Sequence, residues 1–86
     1  METVKTKTNE AYMGAIKKLR QMGFRPSKNV NVKLDSREVV GLTIDQAPIG
    51  MFEKVVEIKE ILGDNFKVVG NTNRQEINIE LNAHNG

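Results

Sequence analysis

The spacing of apolar residues switches between a helical and a strand period, and then does so again. Tyr12, Ala15, Ile16, Leu19 and Met22 recur at three- and four-residue steps, which a 3.6-residue helix gathers into one apolar stripe. Gly23 follows where a left-handed residue closes a helix, and Phe24 stands where the hydrophobic contact of such a cap falls. Pro26 forces extended chain. Val30, Val32 and Leu34 then alternate with Asn31 and Lys33, the pattern of a half-buried strand. Asp35-Ser36 is turn chemistry, and Val40, Leu42 and Ile44 resume the alternation, with Val39, Gly41 and Thr43 on the other face. Two such runs so close together can pair only as an antiparallel hairpin.

The second half repeats the order. Pro48 suits the first turn of a helix. Its buried stripe is expected to be Phe52, Val55, Ile58 and Leu62, widened by Met51 and Val56, with Gly63 as its stop. Phe66 and Val68 open a third strand, and Gly70-Asn71-Thr72-Asn73 reads as a loose turn. Ile77, Ile79 and Leu81 alternate with Glu76, Asn78 and Glu80 in a fourth strand. At the start of the chain, Thr8 or Asn9 is placed to N-cap the first helix, and Glu10 suits its positive end. Residues 1–7 are expected to form a mobile arm, and 83–86, with no apolar anchor, a frayed tail.

This αββαββ order predicts an α+β two-layer sandwich, a single domain over residues 1–86. Four antiparallel strands would carry both helices on one face. Joining the ends of a ferredoxin-like βαββαβ chain and cutting it after the first strand yields the same order. The expected architecture is therefore a circularly permuted ferredoxin-like fold, with the strands side by side as third, fourth, second, first. A swapped or dimeric arrangement of two αββ units is the alternative.

Charge divides the halves. Residues 1–37 hold nine Lys and Arg against three acids, and residues 38–86 hold four against eight. The net charge of +2 is too small to imply nucleic-acid binding by itself, so only the segregation points to a partner. Lys17 and Arg20 fall on the side of the first helix away from its stripe, beside Met13 and Gln21. Lys18 flanks them, Arg25 and Lys28 follow in the loop, and Lys5 and Lys7 precede them. Such a surface suits phosphates or an acidic protein, although a solvated helix face carries the same residues. Glu53, Glu57 and Glu60 form an acidic stripe on the second helix that could receive the basic helix of a second copy.

Chemistry has little to work with. The chain has no cysteine, which removes disulfides and thiolate metal sites and fits a reducing compartment. Its one histidine, His84, falls in the tail, Ser27 and Ser36 have no base nearby, and the acids lack metal-ligand spacing. No catalytic residue, metal or cofactor is expected. The open sheet face is predicted to show Asn31, Lys33, Val39, Gly41, Thr43, Lys67, Val69, Asn78 and Glu80, with every Phe and Tyr turned inward or capping. That argues against base stacking on exposed aromatics. No segment approaches a membrane span, and the first residues lack the apolar run of a secretory signal.

The reading is a small, cytoplasmic, non-enzymatic binding protein, monomer or homodimer. It would serve as an adaptor, regulator or inhibitor of a larger machine, of the kind phage-encoded proteins exemplify. Its expected contact residues are Met13, Lys17, Lys18, Arg20, Arg25 and Lys28, engaging an acidic protein. A nucleic-acid-binding regulator would use the same residues on phosphates.

Overall fold

The computed structural model describes residues 4–33 and 36–82. Its elements run α1 (Val4–Gln21), β1 (Ser27–Lys33), β2 (Ser36–Asp45), α2 (Met51–Leu62), a 3-10 turn (Gly63–Asn65), β3 (Phe66–Asn71) and β4 (Glu76–Leu81). The strands form one sheet in the order β1-β2-β4-β3, with antiparallel pairing throughout. The chain is thus an α+β domain of two helices on a four-stranded antiparallel sheet. Leu34 of the expected first strand, Asp35 of the expected turn and the tail with His84 lie outside the described residues, as do the side chains of Val32, Lys5 and Lys7.

The core forms where the two helical stripes meet one face of the sheet. Tyr12, Ala15, Ile16 and Leu19 of α1 and Met51, Ile58 and Leu62 of α2 close over Leu42, Ile44, Val68, Ile77 and Ile79. Directly paired residues share a face, so Leu42, Ile79 and Val68 form one row of that floor and Ile44, Ile77 and Gly70 the next. A Cβ on Gly70 would lie 2.8 Å from Met51 Sδ and 3.2 Å from Val55 Cγ2, so glycine is what lets α2 approach β3.

The cap of α1 follows the sequence. Gly23 has φ 94°, its N–H bonds the Arg20 carbonyl, and the Phe24 N–H bonds the Leu19 carbonyl. This is the paired bonding of a Schellman motif, with Phe24 packed against the core beside Leu19.

Several expectations are corrected. The first helix begins at Val4 and takes in residues assigned to the arm. Asn9 is no cap: it lies inside α1, and its carboxamide is committed elsewhere, accepting from the Val39 N–H at 2.9 Å and reaching the Arg37 carbonyl at 3.3 Å. Met22, the last residue of the expected stripe, falls in the capping turn and is exposed. Pro48 precedes α2 rather than entering it; the turn closes through Met51 N–H to the Pro48 carbonyl, with Gly50 at φ 81°. Gly70 and Asn71 complete β3, and the turn falls at residues 72–75.

Two corrections change a surface. In β2, pairing passes from Asn29–Gly41 to Val30–Val39 and leaves Val40 without a partner. This β-bulge reverses the alternation, so Val39 is buried and Val40 exposed. In α2, Met51, Val55, Ile58 and Leu62 form the inward stripe, and Phe52, expected inside, is 79% exposed.

Candidate interaction surface

The basic residues owe their placement to how α1 is fixed. β2 pairs with β4 only over Leu42–Asp45, so its first half has a strand on one side alone. Asn9 occupies the vacant side. Its carboxamide meets the Val39 N–H and the Arg37 carbonyl, two groups that a neighbouring strand would otherwise engage. One turn further on, the Tyr12 hydroxyl accepts from the Leu81 N–H at 2.8 Å and approaches the Val40 carbonyl at 3.4 Å, bridging β4 and β2 where they part. The ring packs edge-on to Phe66, with centroids 5.8 Å apart. Burial pushes the Tyr12 hydroxyl above its ordinary pKa; the Leu81 bond acts the other way, and Glu80 and Glu38 add to the rise.

With α1 held in this way, Ala11, Gly14, Ala15 and Lys18 line a groove shared with Leu62 at the end of α2. Met13, Lys17 and Arg20 therefore fall on the opposite flank, on the β1 side of the helix. Arg20 and Arg25 line one hollow with Gly23, Phe24 and Pro26, so the capping turn brings the two residues together. Lys28 pairs with Leu42 and thus shares the helix face of the sheet, as does Val30, which pairs with Val39. Val30, in the middle of β1, is 40% exposed.

Of the six expected contact residues, Met13, Lys17, Arg20, Arg25 and Lys28 are all exposed, and Arg20 and Arg25 line the same hollow. Lys18 is exposed as well but stands on the other flank, in the groove that Leu62 also lines. The single ion pair among the described residues is Lys54–Glu57 at 3.9 Å, so the basic group is not neutralised by any described side chain.

The open sheet face carries a network of bonded polar side chains beside exposed Val69. Asn29 Nδ2 donates to Thr43 Oγ1 at 2.7 Å, and Thr43 donates on to Asn78 Oδ1 at 3.3 Å, a chain across three strands. Lys67 and Glu80 stand directly opposite each other on β3 and β4. No helix among the described residues is long and apolar enough to cross a membrane.

A further surface escaped the sequence reading. Phe52 and Val56 stand one turn apart on α2 and are both exposed, Phe52 at 79%, and Ile49, in the turn before the helix, is exposed at 89%. The signal was present: seven of the twelve residues of α2 are apolar, more than one buried stripe accommodates. Comparison with family models, curated proteins and solved structures finds no match.

Proposed function

We propose that the protein is a binding module, an adaptor, regulator or inhibitor, that engages an acidic protein through the β1-facing flank of α1 and the loop that follows it. One observation carries this reading: Lys17, Arg20, Arg25 and Lys28 are exposed with no described carboxylate paired to them, Arg20 and Arg25 line one hollow, and Met13 and Val30 add exposed apolar surface. Exposed cations together with exposed apolar groups suit a protein surface that offers both carboxylates and buried area. Lys18 takes a lesser part, because it faces away. The same proposal includes a circularly permuted ferredoxin-like fold, supported by the order β1-β2-β4-β3 and by antiparallel pairing throughout.

The test is capture from extract with and without nuclease, followed by kinetics on the purified partner. Wild-type capture should survive nuclease. Reversing charge at Lys17, Arg20 and Arg25 should abolish it and lower the association rate, while reversal at Glu53, Glu57 and Glu60 should leave it intact. Nuclease-sensitive capture, with affinity for unrelated sequences falling steeply with salt, would replace the protein partner by nucleic acid.

A further inference from the structure

We infer that a second copy of the chain docks along β3 and α2, joining the two sheets edge to edge about a twofold axis. β3 is an edge strand, and no described residue pairs with its outer side. Its six residues include no proline, and Lys67 is its sole charge, so it is weakly protected against pairing. β1, the other edge, carries Lys28 and Lys33 and opposes a bulge.

The helix above β3 supplies the rest of the surface. Lys54 sits over the Phe24 ring on the α1 side of α2. Lys59 lines a hollow with Phe66, Lys67 and Val68, which puts it on the β3 side. Phe52 lies two turns before Lys59 on the same flank, so Phe52, Val56 and Lys59 overhang the open edge. An exposed phenylalanine one helical turn from exposed Val56, beside an unpaired strand edge, is more apolar surface than scattered side chains make.

Lys59 on this flank, together with Glu53 about a third of a turn further round toward solvent, selects a second copy. A twofold axis perpendicular to the sheet sets α2 antiparallel to its mate. If the axis passes at Val56, Lys59 of one copy meets Glu53 of the other, and the symmetry makes the contact twice. Neither group takes part in the ion pair described above. The sheet agrees with this position. Met51 and Val55 lie over Gly70 and Lys59 lies beside Phe66 to Val68, so Val56 is level with the middle of β3. An axis through Val68 then pairs Phe66 with Gly70 of the second copy and Lys67 with Val69. The apolar centre of Phe52 and Val56 would be closed at both ends by opposite charges, an isologous and self-complementary arrangement.

Sedimentation of the full chain across a concentration series, with amide exchange over β3, tests the inference. Wild type should pass from monomer to dimer, and amides within Phe66–Gly70 should gain protection as it does. Phe52→Asp should raise the dissociation constant by more than about tenfold with an unchanged circular dichroism spectrum. Lys59→Glu and Glu53→Lys should each weaken the dimer, and the double exchange should restore it. A monomer at every concentration, a dimer indifferent to Phe52→Asp, or a double exchange without recovery would overturn the proposal. Reversal at Lys17, Arg20 and Arg25 should leave the dimer unchanged, which separates this contact from the basic flank; dissociation by that variant would place the interface on α1 instead.

Discussion

The Tyr12 hydroxyl stands where β2 and β4 diverge, taking a hydrogen bond from the Leu81 N–H and reaching the Val40 carbonyl at a longer distance. Replacing it with phenylalanine keeps the ring against Phe66 but leaves the Leu81 amide without its partner. An unpaired buried amide costs about 1–3 kcal/mol, so Tyr12→Phe should lower the denaturant midpoint by that equivalent at neutral pH. The loss should depend on pH in a defined direction. The folded-state pKa of Tyr12 is raised above its unfolded value of about 10, chiefly by burial. A group raised in this way contributes stability that is fully present below the unfolded pKa and is lost as pH rises through the folded one. The gap between wild type and Tyr12→Phe should therefore be constant below about pH 10 and narrow above it. Paired melts at rising pH check this, and a gap that widens would contradict the burial of the phenol. The fourfold repeat of α1 spacing that includes Tyr12 was visible in the sequence, but the role of its hydroxyl was not. That role rests on Leu81, 69 residues away, and no local pattern reports it.

At the scale of the element, legibility followed how local each cause was. The Gly23-Phe24 cap was readable because its bonds close within Leu19 to Phe24. The strands around Leu42, Ile44, Ile77 and Ile79 were readable because each is covered on one face along its whole central stretch. Val39 and Val40 were not, since both are valine and only the pairing with β1 decides which one is bulged. Phe52 escaped for a related reason: α2 offers two apolar flanks, and the glycine at position 70 settles which one meets the sheet. On α1 the helical period separated Met13, Lys17 and Arg20 from the core and set Lys18 about 160° round from Arg20; the packing of α2 shows that Lys18 borders the groove between the helices. The two glycines of the first helical region behave oppositely for the same local reasons. Gly14 is exposed in mid-helix with nothing within 4 Å of an added Cβ, so Gly14→Ala should stabilise by about 0.5–1 kcal/mol. Gly23 has equal space but φ 94°, so Gly23→Ala should destabilise by about 1–2 kcal/mol through backbone strain. Opposite shifts in the urea midpoint at nearly constant slope would confirm both.

Across the whole molecule, stability should be graded from the sheet centre toward the β1–β2 hairpin. Leu42, Ile77 and Ile79 are fully enclosed, and their strands have neighbours on both sides. Beyond Leu42 the hairpin is a two-stranded ribbon, an arrangement of marginal stability in water. What steadies it is α1, through the Asn9 carboxamide, and that residue therefore couples the first helix to the part of the sheet that borders the basic flank. Asn9→Ala removes both bonds. The Val39 N–H should then lose protection by at least about tenfold more than the amides of Leu42, Ile77 and Ile79, which report global opening. Asn9→Asp divides the pair, because a carboxylate can still accept from the Val39 N–H but cannot donate to the Arg37 carbonyl. Its Val39 amide should stay protected while the variant is less stable than wild type. Residue-resolved hydrogen exchange on the three proteins makes the comparison. Equal loss at Val39 and at the sheet centre in Asn9→Ala would mean that the hairpin and core open as one unit, and that α1 adds nothing local to the ribbon it spans.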